Sequence, residues 1–231
     1  MTIAEIKEQL KRKAVVFNTG GKHPTNELLE SWIGNVKWKS PEEDLPVDMD
    51  GKGMLPIATV FLKGLPYRPE HLHKVELITI FMSGKFWNKL IADDLSQWFC
   101  IRTYKTLDGL VPCEHKPIMK PFPLTPQLVE NEYPMWDGGG IPLRIGEMIN
   151  KMEEEDGIDY YEDIFEDNNS QHKIGGYPAF CQAGAWYGED YPFVMQISSD
   201  VKAGFNIVHD GSFYFYYNSM KDDWKVHCDF Y

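Results

Sequence analysis

The chain has 231 residues, 43% of them hydrophobic and 14% aromatic, a balance that supports a folded globular protein and excludes overall disorder. Its formal net charge of −12 disfavours nucleic acid and anionic membrane surfaces; it reads first as a soluble acidic surface and permits a basic protein or peptide partner. The length allows one large domain or two small ones, and size scaling lets it bury about 70% of its unfolded surface.

Residues 1–17 carry Glu5, Lys7, Glu8, Lys11, Arg12 and Lys13 and lack the apolar core of a signal peptide. No stretch approaches the roughly 20 apolar residues of a membrane helix. The four cysteines, Cys100, Cys113, Cys181 and Cys228, have no C-x-x-C spacing. The expectation is reduced thiols in a cytoplasmic protein.

Residues 2–14 read as a helix. Thr2 is its N-cap, Glu5 completes a capping box, and Ile3, Ile6 and Leu10 form one apolar stripe. The stretch from Phe17 to Glu30 holds Gly20, Gly21 and Pro24 and reads as a linker, with a helical turn following at 27–32. The acidic, Pro- and Gly-containing stretch 39–54 reads as an exposed loop. Strands are predicted over 55–62, 75–83 and 97–105. The last alternates Trp98, Cys100, Arg102 and Tyr104 against Phe99, Ile101 and Thr103.

Pro112, Pro117, Pro121 and Pro123 argue against a long regular element over 111–123. Thr125 and Pro126 read as the N-cap and first position of a short helix. A turn is predicted from Trp136 to Gly140, then a helix from Pro142 with Ile145, Met148, Ile149 and Met152 on one face. A second, acidic helix is predicted over 159–168, with Tyr161 and Phe165 one turn apart. The rest is β. Phe213, Phe215 and Tyr217 alternate with Tyr214 and Tyr216, and Trp224, Val226, Cys228 and Phe230 alternate with Lys225, His227 and Asp229.

Two stretches repeat one order of motifs. WIGNVKW from Trp32, LPIATVFL from Leu55, VELITIFMS from Val75 and SQWFCIRTY from Ser96 make the first. KIGGYPAFCQ from Lys173, YPFVMQISSD from Tyr191, DGSFYFYYN from Asp210 and DWKVHCDFY from Asp223 make the second. Each has an Ile-Gly turn, a Pro-led apolar strand, a second strand and a Trp-led alternating strand. Such self-similarity predicts a duplicated unit whose halves bury each other's apolar faces. The expected fold is α+β and β-rich: a single domain over 1–231 built from two pseudo-repeated antiparallel β units. These lie at about 31–110 and 172–231, joined by a helical, Pro-rich insert at 111–171, with the N-terminal helix and the other helices peripheral.

The KIGGYP turn at Lys173 to Pro178, the apolar strand running through Gln196, the Asp-Gly-aromatic strand from Asp210 and the Trp-led final strand resemble the YwqG-like family of bacterial proteins of unknown function. The first half resembles that family's N-terminal pattern more loosely. Asn35 stands where a second Gly is expected, and Thr59-Val60 where a Gln is. The resemblance covers about Trp32 to Tyr231 and rests on short motifs. It implies a soluble, bacterial α+β protein with no established activity. More distantly, that family is similar to eukaryotic domains that chaperone a ribosomal protein, which implies a peptide-binding role.

Several residue groups are candidates for chemistry. Gly138-Gly139-Gly140 before a helix is compatible with an anion loop, but without G-x-x-x-x-G-K-S/T, and with Pro142 removing a donor, it reads better as a plain turn. His71, His73, Cys100, Cys113, His115 and the His227-Cys228 pair lack the spacing of a metal site, and no metal or cofactor is expected. There is no G-x-S-x-G elbow. Cys100 and Cys228 share a predicted face with Trp98 and Trp224 and read as core thiols.

The carboxylates from Glu153 to Asp167 read as a solvated face or as an acidic platform, with Tyr160, Tyr161 and Phe165 as its aromatic anchors. Gly175 and Gly176 permit a tight turn, and Gln196 is a polar amide in an apolar strand that either ties the repeats together or faces a ligand groove. The binding candidates are therefore Gln196, Tyr160, Tyr161, Phe165, Gly175 and Gly176, and no residue is assigned as catalytic. The expected function is a non-enzymatic protein- or peptide-binding module, chaperone-like or immunity-like. The alternative is an enzyme with a site between the repeats near Gln196 and His209.

Overall fold

The computed structural model describes residues 1–86 and 94–231. Helix α1 spans Ile3–Leu10 and starts as its sequence predicts. The Thr2 hydroxyl accepts the Glu5 N–H at 3.3 Å, and the Glu5 carboxylate accepts the Thr2 N–H at 2.8 Å. The helix ends at Leu10, short of the predicted boundary at 14. Arg12–Thr19 form strand β1, in which Ala14, Val15, Val16 and Phe17 are all buried. A strand covered on both faces shows no alternation, which is why this segment resembles a helix end and a linker in the sequence.

The remaining strands are β2 (Ser31–Ile33), β3 (Trp38–Lys39), β4 (Leu55–Phe61), β5 (Leu77–Met82), β6 (Phe99–Tyr104), β7 (Val111–Pro112) and β8 (Phe122–Glu132). After helix α2 (Leu143–Asp156) come β9 (Lys173–Gly175), β10 (Phe193–Ser198), β11 (Ser212–Asn218) and β12 (Asp223–Asp229). Ten of them form one antiparallel sheet in the order β12-β11-β10-β9-β1-β8-β2-β4-β5-β6, and β3 pairs separately with β7. The loop expected at 39–54 thus begins inside β3, and β2 replaces the end of the helical turn expected at 27–32.

Strand β8 is a correction to the sequence expectation of an irregular 111–123 and a short helix at Pro126. It runs eleven residues through Pro123 and Pro126. Pro126 faces Phe17, whose N–H turns the other way and donates to the His172 carbonyl at 2.8 Å. The Phe17–Pro126 position is therefore not hydrogen-bonded, and the absent proline N–H faces away from β1, beyond the end of β2. Beside Pro123, the Gly20 carbonyl is satisfied instead by the Thr125 hydroxyl at 3.0 Å.

The two edges of the sheet meet. The Leu95 N–H donates to the Val226 carbonyl at 2.8 Å, Lys225 donates to Asp94 at 2.7 Å, and the Thr103 hydroxyl donates to Asp222 at 2.9 Å. A loop and side chains, rather than a continuous ladder, bridge β6 and β12, so the sheet is a nearly closed barrel. Its interior is packed with rings in edge-on contact. Phe213 lies 4.9 Å from Phe86 and 5.1 Å from Phe99, centroid to centroid. Trp98 and Trp224 join the same core. Trp98 sits in the 3-10 turn just before β6 rather than inside the strand.

A smaller core forms outside the barrel, where Ile6 and Leu10 of α1 meet Ile145 and Ile149 of α2 together with Tyr133, Tyr160 and Ile164. The second helix, predicted over 159–168, is a single π-helical turn at Tyr160–Ile164. Asp159 caps it by accepting the Tyr161 and Glu162 N–H groups, and the chain then leaves the helix to place the Asp167 carbonyl on the Tyr133 N–H. Consequently the acidic run is divided between the end of α2 and this turn, with Gly157 between them.

Candidate functional site

The site is built on the KIGGYP segment. Lys173 on β9 places its ammonium 3.0 and 2.9 Å from the two carboxylate oxygens of Glu132 and 2.7 Å from Asn168 Oδ1. Both side chains of the ion pair are fully buried. Burial pushes the Lys173 amine down to about 8, against the opposing pull of Glu132. A Cβ at Gly176 would overlap the Glu132 carboxylate, and the residue's φ of +64° lies in the left-handed region. At Gly175 a Cβ would meet the Tyr67 ring at 2.6 Å and the Lys13 carbonyl at 2.9 Å. The two glycines let the chain pass directly over the ion pair and the central strand.

Beyond the glycines, the loop 177–182 is fixed to the outer face of the sheet by three buried acceptors. Glu132 accepts the Tyr177 N–H at 3.1 Å, and Gln196 accepts the Ala179 N–H at 3.0 Å. Asp229 accepts the N–H groups of Cys181 and Gln182 at 2.8 and 3.2 Å. Pro178 needs no acceptor. The Gln196 amide nitrogen donates to the Ser170 carbonyl at 2.9 Å, so this wholly buried side chain is saturated within the fold. Thr59 on β4 makes a similar pair of contacts on the other side of the sheet. It faces Trp32 as Gln196 faces Lys173, donates to the Asn35 carbonyl at 3.0 Å and accepts the Lys37 N–H at 3.0 Å.

The fixed loop forms one wall of a pocket of about 370 Å³. Tyr177, Pro178 and Phe180 come from the loop, Phe193 from β10 and Tyr216 from β11, while Gly138, Gly139 and Gly140 close another side. Gly140 lies so near Tyr177 that a Cβ there would stand 2.7 Å from the ring. Trp186 stands at the rim with 75% of its surface exposed. The charged lining residues are Arg12, whose guanidinium sits 4.1 Å over the Tyr177 ring, and Glu189. Burial, with smaller contributions from Tyr187 and Asp229, pushes the Tyr216 phenol far above its ordinary value, so it stays neutral.

The other sequence candidates lie elsewhere. Tyr160, Tyr161 and Phe165 meet edge to face, with centroid separations of 5.3 Å for Tyr160–Tyr161 and 5.4 Å for Tyr161–Phe165. Tyr160 is buried and donates to the Pro134 carbonyl at 2.7 Å, whereas Tyr161 is exposed. Tyr160 and Phe165 belong to the small core beside α1 and α2, and none of the three lines the pocket. His209 lies on an exposed loop, while Gln196 is buried.

His73 contacts the Arg68 carbonyl at 3.0 Å. Among the described residues no group of three His, Cys, Asp or Glu converges to hold a metal ion, and no helix is long and apolar enough to cross a membrane. The four cysteines are unpaired, with Cys228 buried in the barrel core and Cys100 half-buried against a separate cluster. Cys100 therefore does not share the face of Trp98, because Trp98 precedes the strand.

Sequence reasoning missed the pocket itself, in particular Arg12, Trp186, Tyr191, Phe193 and Tyr216. The available signal was the density of aromatic, Gly and Pro residues over 177–193. Fold and site together define an antiparallel, nearly closed ten-stranded β barrel that carries a preformed aromatic pocket on its outer face. No protein-family model matches the chain, and no curated protein matches it.

Proposed function

We propose that the protein is a non-enzymatic binding module that anchors a protein or peptide partner in the aromatic pocket. The carrying observation is the construction of that pocket. Its loop is fixed by Glu132, Gln196 and Asp229, so the rings of Tyr177 and Phe180 are held before any ligand arrives. A preorganised aromatic surface loses little side-chain entropy on binding, and an exposed Trp is the residue type that most often carries interface energy. The net charge of −12 favours a basic partner, and the cytoplasm remains the compartment that fits its unpaired cysteines.

The same proposal includes a tandem duplication and kinship with the YwqG-like family. Three features support duplication: a matching strand order outward from the central β1–β8 pair, the matched φ of +77° at Gly34 and Gly175, and the equivalent roles of Thr59 and Gln196. The test of binding is selection from a displayed random peptide library, followed by titration of the enriched peptides. Binding is expected to weaken about tenfold or more in Trp186→Ala. No enrichment, or equal binding by wild type and variant, overturns the reading.

A further inference from the structure

We infer that the pocket takes an extended, proline-containing segment bearing a cationic residue next to its prolines, an inference that rests on the peptide-binding reading above. Three properties of the site specify this ligand. First, the pocket is lined by the aromatic side chains of Tyr177, Tyr191, Phe193 and Tyr216, with Trp186 exposed at the rim. Flat aromatic faces accept the equally rigid pyrrolidine ring, and a polyproline II segment arrives with little conformational entropy left to lose. Second, among the described residues no hydrogen bond engages the Trp186 indole N–H, a donor that accepts nothing in return. At the exposed rim it is available to donate to a ligand carbonyl, and a polyproline II segment leaves its carbonyls free, whereas a helix uses its own internally.

Third, Glu189 is exposed at the pocket and forms no ion pair among the described residues. Arg12 is already stacked on Tyr177, where it disfavours a second cation at that ring and leaves Glu189 as the anionic contact. The surplus of negative charge on the chain acts in the same direction. One turn of polyproline II is three residues and about 9 Å long, a length suited to a pocket of this size. An anionic segment would meet Glu189 with the wrong sign, and an amphipathic helix needs a longer groove.

Isothermal titration with three synthetic peptides on the full chain tests this. The first repeats Ala-Pro-Pro and ends in Arg, the second has every Pro replaced by Ala, and the third ends in Glu instead of Arg. The first is expected to bind at least about tenfold more tightly than either of the others. Its salt dependence should weaken in Glu189→Gln, and its binding should be lost in Trp186→Ala. Both positions are exposed, so circular dichroism should show both variants folded. Equal binding of all three peptides overturns the proline inference while leaving peptide binding intact. No binding of the first peptide also overturns it, and the library selection then decides the broader reading separately. Tighter binding of the Glu-ended peptide overturns the charge assignment, and with it the proposal.

Discussion

Lys173 and Glu132 form an ion pair that is closed to solvent, with the ammonium 3.0 and 2.9 Å from the two carboxylate oxygens. The pair reaches across β1, because β9 and β8 are its two neighbours and not each other's. Glu132 also holds the Tyr177 and Asn169 N–H groups, so the charge pair and the pocket loop depend on one carboxylate. Replacing Lys173 with Met leaves that carboxylate buried without its cation. The expected loss is about 3–5 kcal/mol of unfolding free energy in urea denaturation. The double variant Lys173→Met, Glu132→Gln should recover part of that loss, because no uncompensated charge remains. A double variant less stable than Lys173→Met would show that the charge itself is not the cause.

Gly176→Ala should destabilise the protein by at least about 2 kcal/mol, since strain at positive φ adds to overlap with Glu132. The ligand pocket should suffer with it, because Tyr177 follows directly. Thermal melting and peptide titration of the variant measure the two effects. A variant with wild-type stability would mean that the turn relaxes freely.

Asp200 predicts an acid-sensitive contribution. Burial alone raises its carboxyl, but hydrogen bonds from His172, Thr19 and the Ala203 N–H outweigh burial and hold it far below the usual carboxylate range. A depressed folded-state value means stability that is fully present above the ordinary value of about 3.9 and lost as pH falls below it. The stability difference between wild type and Asp200→Asn should therefore be constant near neutrality and shrink as pH drops below about 4. A difference independent of pH down to strong acid would contradict the assignment.

Cys228 should label slowly with a thiol reagent in native buffer and rapidly after denaturation. It is buried in the barrel core, and burial, with Asp229 beside it, pushes its thiol up to about 12. Cys100 is only half-buried, so peptide mapping of the labelled protein should find it modified before Cys228. Faster native labelling of Cys228 would indicate that the barrel seam opens readily.

Elements specified by local pattern were readable along the chain. The Thr2–Glu5 capping box, the alternating strands β11 and β12, and the turn glycines each depend on neighbours within a few residues. The central strands were not readable in this way. Val15 and Val16 are covered on both faces and show no period of two. Pro123 and Pro126 forbid a strand in general, and this one survives because Thr125 and the turn of Phe17 toward His172 remove the need for their missing donors. Gln196 was recognisable as a costly amide, but only its contacts with Ala179 and Ser170 decide that it ties the fold together.

The sequence by itself determined that this is a β-rich protein with an acidic surface, an N-terminal helix and two similarly ordered sets of strands. Local propensity and charge suffice for that. The pocket was decided by tertiary structure alone. Arg12, Gly140, Tyr177, Trp186 and Tyr216 span more than two hundred positions of the chain. They meet because the sheet order places β9 beside β1, and because buried acceptors on β8, β10 and β12 hold one loop against its outer face. Such contacts depend on which strands become neighbours, and no periodicity within a single strand encodes that choice.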